Sequence, residues 1–206
     1  ADFNSAPAIV GNFNHGQGVA EFPIKETLGG FNDITTGSDG NYYGAGWVNF
    51  AGWSQKNKDH AAIAVWADSG NIERWGSNDI PFEDSLFAYP LDETARVRDR
   101  ASSIIGLEDG SLLVSGFGFN GNGPQAITMK VTVDPDTDPP YGLDDSYGTK
   151  GSTVGRTFWQ DSGRSTRLDN IIVLPEGEVL QFGSVSRSNG DRYATAIKYQ
   201  NSTKAY

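Results

Sequence analysis

Residues 101–117 read ASSIIGLEDGSLLVSGF. Two apolar runs flank Asp109-Gly110, an acidic-Gly pair of the kind that makes a tight hairpin turn. The stretch therefore reads as strand, turn, strand, then Gly116. Two other segments share this layout: FNDITTGSDGNYYGAGW (31–47) around Asp39-Gly40, and LDNIIVLPEGEVLQFGS (168–184) around Glu176-Gly177. The turns recur at intervals of 70 and 67 residues, which marks an internal repeat. Gly46, Gly116 and Gly183 fall at the same offset and are expected to end the second strand, where a close backbone approach or bend suits glycine.

A third strand follows in each copy: HAAIAVW (60–66), QAITMKV (125–131) and YATAIKY (193–199). Small and apolar residues alternate with others there, as in a half-buried strand. Next comes an aromatic-Gly pair, Trp75-Gly76 in the first copy and Tyr147-Gly148 in the second, and Val154 then opens a fourth strand. The third copy stops at Tyr206, before any such pair. GNFNHGQGVAEF (11–22) carries aromatic, Gly and Val elements similar to YGTKGSTVGRTF (147–158) and is the candidate for its fourth strand. The organisation expected is a single repeat domain over 1–206. Residues 1–28 supply the closing strand; repeats run over 29–96 and 97–163, and an incomplete one over 164–206.

These segments resemble the delta-60 repeat, a bacterial β-propeller-type repeat. LEDGSLLVSG (107–116) with LDDSYGTKGSTV (143–154) carries the likeness best, and NIIVLPEGEVLQFG (170–183) nearly as well. The resemblance implies an all-β, β-propeller-like fold with three four-stranded blades per chain, the N-terminal segment completing the last. It implies little about activity, since that family is defined by its repeat. The copies here are longer than usual. Three blades are also fewer than the four to eight of an ordinary ring. Pairing of two chains, a filament, or membership of a larger assembly would each account for the count.

Composition agrees with strands. Aromatics make up 12% of the 206 residues, and 26 Gly with 9 Pro favour turns over helices. The chain holds no cysteine, which excludes disulfides and zinc–thiolate sites. The net charge of −10 argues against nucleic acid and anionic membrane surfaces as partners. No run is long enough to span a membrane as a helix. Ala1-Asp2-Phe3 reads either as the mature end left by a signal peptide, giving a secreted or cell-surface bacterial protein, or as a trimmed start. The charge is uneven. Residues 1–146 hold 8 Lys/Arg against 21 Asp/Glu, net −13, whereas residues 147–206 hold 8 against 5, net +3. Acidic and basic ends of this kind can attract each other across a joint.

Three loops on one side are the candidate ligand face: 47–59, 117–125 and 184–192. Flat aromatics beside amide and carboxylate groups suit sugar rings, and Trp47, Phe50, Trp53, Phe119, Asn120, Arg187, Asn189 and Asp191 are the candidates. The alternative is that Trp47 and Phe117 pack between blades while the Asn and Gly residues only make turns. A second candidate is DPDTDPPYGLDD (134–145). Asp134, Asp136, Asp138 and Asp145 have the spacing of a calcium loop, although Pro139 stands where the turn Gly belongs; a Pro-stiffened solvated loop is the alternative. Calcium is the one cofactor the sequence suggests. His15 and His60 stand in no metal or nucleophile motif, so no catalytic residue is assigned. The expectation is a secreted, non-enzymatic binding module for glycan or another surface polymer. A structural or assembly subunit that pairs with itself and a polysaccharide hydrolase or lyase are the alternatives.

Overall fold

The structure is a computed structural model. It describes residues 27–50, 59–66, 86–89, 99–119, 124–133, 141–144, 146–148, 155–159, 165–187 and 189–199. Among these residues every regular element is a strand, and no helix occurs.

The strands form three antiparallel sheets. The first contains β1 (Thr27–Thr36), β2 (Tyr42–Phe50), β3 (Asp59–Trp66) and β4 (Leu86–Tyr89), paired in that order. The second contains β5 (Arg100–Gly106), β6 (Leu112–Phe119), β7 (Pro124–Val133), β8 (Tyr141–Leu143) and β9 (Arg156–Trp159). Here β8 and β9 share the outer edge of β7: β8 pairs with Val131–Val133, and β9 with Ala126–Met129. The third contains β10 (Ser165–Val173), β11 (Val179–Ser186) and β12 (Arg192–Tyr199). Among the described residues β12 is paired on one side only. Among the described residues the first sheet thus has the expected four strands, the second has five and the third has three. Of the expected N-terminal closing segment, residues 1–26 lie outside the described residues, and Thr27 and Leu28 belong to β1, opposite Phe50 and Asn49.

The three acidic-Gly pairs make one kind of turn. Gly37, Leu107 and Leu174 each donate a backbone N–H across the turn, to Asn41, Ser111 and Glu178 respectively, at 2.7–2.8 Å. Gly40, Gly110 and Gly177 sit at φ of 80–85°, where a Cβ is strained, so glycine is the residue the turn requires.

Gly46, Gly116 and Gly183 do not end their strands; β2, β6 and β11 continue to Phe50, Phe119 and Ser186. Each glycine instead faces a register shift in the neighbouring strand: between Phe31 and Asp33, Ala101 and Ser103, and Arg167 and Asn170. A Cβ built on any of the three would collide with a backbone carbonyl oxygen, that of Gly30, Arg100 or Arg167. The bulge pushes that carbonyl inward, and only glycine leaves room for it.

The sheets stack in sequence order. β5 packs on β1, β2 and β3; β10 packs on β5, β6 and β7. The strands β1 and β5 run alongside each other in the same direction. Asn32 Nδ2 donates to the Ala101 carbonyl at 2.8 Å, and Asp33 accepts from the Ser103 hydroxyl (2.7 Å) and the Ile104 N–H (3.0 Å). Further along, the Gly106 N–H reaches Thr35 Oγ1 at 3.2 Å. At the second joint the Ser102 hydroxyl meets Asp169 at 3.3 Å. The main core fills the first joint, where Tyr43, Ala45, Ile63 and Val65 meet Ile104, Leu112, Val114, Ile127 and Met129. A smaller cluster of Leu113, Tyr147, Ile171 and Val179 fills the second.

Candidate functional site

Because the leading strands of the sheets run in parallel, the acidic-Gly turns lie on one side and the β2–β3, β6–β7 and β11–β12 connections on the other. Strand extension shortens those connections to 51–58, 120–123 and 187–191. Trp47, Phe50 and Phe119, expected in loops, are therefore strand residues. Trp53 and Asn120 lie outside the described residues, as do Asp134, Asp136, Asp138 and Asp145 of the expected calcium loop. Among the described residues no group of three or more His, Asp or Glu is placed to hold a metal ion.

Trp47 is half-buried and carries the Arg100 guanidinium over its ring, 4.4 Å from the centroid. Arg167 lies over Phe117 in the same way at 4.6 Å. Each pair joins the leading strand of one sheet to the second strand of the sheet before it. Such stacking is worth on the order of 1 kcal/mol. Trp47 is therefore engaged in holding two sheets together.

The β11–β12 hairpin brings three of the expected residues together. Its turn repeats the geometry of the acidic-Gly turns: the Arg187 N–H reaches the Asp191 carbonyl at 2.8 Å, and Gly190 has φ of 88°. The Asn189 side chain donates to Asp191 Oδ2 at 2.7 Å and accepts from the Asp191 N–H at 3.2 Å. Tyr193, the second residue of β12, completes the group. Its hydroxyl accepts from Arg187 at 2.9 Å and lies 3.3 Å from Asp191 Oδ2, while the guanidinium sits 4.2 Å from its ring centroid. All four residues are exposed, Tyr193 at 40%. An aromatic ring, a guanidinium, an amide and a carboxylate thus share one hairpin tip. Tyr193 was not among the sequence candidates, because it opens the run YATAIKY, where it reads as an alternating strand residue.

On the opposite side, a cluster of titratable groups surrounds Lys130. This side chain is 5% exposed and lies 2.8 Å from Asp109 and 3.0 Å from Asp144. Asp109 also accepts from the Ser111 N–H and hydroxyl, and Asp144 from those of Ser146. Burial disfavours the ionised form of Asp109, but hydrogen bonds from Lys130 and Ser111 outweigh it and hold the carboxyl at about 2. Asp144 is lowered against its own burial by Ser146 and Lys130. Burial works against the Lys130 charge as well, and the two carboxylates more than offset it, so its pKa is raised. Each member stays charged and partnered through the neutral range, which makes this a structural lock between β7, the β5–β6 turn and the end of β8. It is poorly suited to proton transfer, which needs a pKa nearer the working pH.

Compared with known proteins, the chain matches no family model and no curated protein sequence.

No helix of the described residues is long and apolar enough to cross a membrane.

Proposed function

We propose that this chain is a secreted, non-enzymatic binding module of the β-propeller type, with its three sheets as blades, that takes a glycan or another surface polymer. The stacking of β5 and β10 on the preceding sheets, and the bulge-and-glycine pairing repeated in all three, support the propeller reading. The observation that carries the binding reading is the exposed hairpin tip of Arg187, Asn189, Asp191 and Tyr193. A tyrosine ring offers an apolar surface to the C–H groups of a sugar, and the surrounding donors and acceptors suit its hydroxyls. The test is a glycan array probed with the whole chain, followed by titration of any hit against Tyr193→Ala and Arg187→Ala. At least a tenfold loss of affinity in both, with unchanged melting temperature, is the expected result. Undiminished binding by both variants would remove the site, and an array without hits would remove the function.

A further inference from the structure

The two ends of the sheet stack are exposed at the positions that the internal joints bury. The glycine-opposed bulges set the correspondence: Phe31, Ala101 and Leu168 occupy one position, and Ile34, Ile104 and Ile171 another, three residues on. Ala101 and Ile104 are buried against the first sheet, and Leu168 and Ile171 are buried in turn. Phe31 and Ile34 are 36% and 61% exposed.

The receiving side shows the same contrast. The first and second sheets present Tyr43 with Ala45, and Leu113 with Ser115, to the sheet that follows, and all four are buried. The corresponding pair on the third sheet is Leu180 and Phe182. Ile172 pairs with Leu180, and Ala194 and Ala196 share its face. Phe182 is 38% and Ile172 42% exposed.

A further observation bears on what covers these ends. The guanidinium–aromatic clamp of both internal joints is missing from the two ends together. Gly30 stands where Arg100 and Arg167 stand, and Ser184 stands where Trp47 and Phe117 stand. An end evolved against an unrelated partner has no reason to lose the half that matches the other end. Charge permits it: residues 1–146 carry −13, whereas residues 165–199, which build the third sheet, hold 4 Lys/Arg against 4 Asp/Glu.

We propose that copies of this chain associate head to tail, β1 of one copy seating on the outer face of the third sheet of the next. Ile34 and Phe31 then enter the surface made by Ile172, Leu180 and Phe182, repeating the internal joints without the clamp. Such a contact is heterologous, so it closes into a ring or runs on as a fibre according to the rotation per copy.

The test is the native mass of the full chain by light scattering on a sizing column. The wild type is expected at twice its 22.2 kDa or more. Ile34→Asp and Phe182→Asp are each expected to lower that mass, with Ile172→Asp in reserve where Phe182→Asp disturbs the fold by circular dichroism. Mixing the two variants discriminates, because each keeps one good end. The mixture is expected to recover a single joint and run as a dimer. A monomeric wild type, a variant that keeps the wild-type mass, or a mixture that stays monomeric would each overturn the proposal. None of these outcomes bears on the hairpin tip, so the glycan reading stands or falls separately.

Discussion

The two joints between sheets have one geometry and two chemistries. The first is filled by side chains such as Tyr43, Ile63, Val65, Ile104 and Met129, and Asn32, Asp33 and Thr35 of β1 hydrogen-bond to β5 along its leading strands. The second has a polar centre. Gln181 is fully buried; its amide nitrogen donates to the Leu168 carbonyl at 2.9 Å and the Ile127 carbonyl at 3.3 Å. Its oxygen accepts from the hydroxyls of Thr128 and Tyr199, both at 3.0 Å. Tyr147 lies beside this network, and burial raises its pKa; burial likewise pushes Tyr199 up to about 12, so both stay neutral. The corresponding residue in the second sheet, Val114, needs no partner. Apolar joints tolerate small slips, whereas an amide with four partners is satisfied in one register only. The difference suggests that the first joint supplies more of the stability and the second fixes the alignment of the third sheet.

Three substitutions sharpen that division. Ile63→Ala should destabilise most, by about 3 kcal/mol in chemical denaturation, since it removes a fully buried side chain from the larger core. Gln181→Leu should cost about 2 kcal/mol, because hydroxyls of Thr128 and Tyr199 lose their acceptor while the site stays filled. It should also speed amide exchange across the third sheet more than Ile63→Ala does; equal loss of protection in all three sheets would erase the distinction between the joints. Lys130→Met should cost least, about 1 kcal/mol, because Asp109 is 55% exposed and can be rehydrated while Asp144, 14% exposed, keeps its hydrogen bonds from Ser146. Its signature is in the acid limb. Asp109 and Asp144 have lowered folded pKa values, so the stability they contribute is present above the ordinary carboxylate range. It is lost as pH falls from 3.8 towards 2, where Asp109 takes up its proton. Melting temperature should therefore drop over that window in the wild type and drop less in Lys130→Met. The raised Lys130 value adds stability below 10.5 that is lost only as pH rises through the folded value.

Much of the strand plan was legible because its causes are local. Asp39-Gly40, Asp109-Gly110 and Glu176-Gly177 are turns on account of the glycine φ, and alternation in QAITMKV reports which side of a strand meets a core. The glycines 46, 116 and 183 were legible as a shared feature and misjudged as strand ends. Their need arises from a carbonyl in the neighbouring strand, which a pattern along one strand cannot display. The binding candidates divided in the same manner. Arg187, Asn189 and Asp191 lie within one hairpin, so nearness in sequence became nearness in space. Trp47 was drawn into a joint by Arg100, a residue distant in the chain.

By itself, then, the sequence determined an all-β chain, its hairpins and the spacing of three similar segments, because turn chemistry and alternation act over a few residues. Only the tertiary structure decided which faces meet, which aromatic is stacked under an arginine, which glutamine is buried with all its partners, and which large apolar residues stay partly exposed. Those outcomes depend on a leading strand settling against a sheet formed about 70 residues earlier, at a separation where no local periodicity carries information.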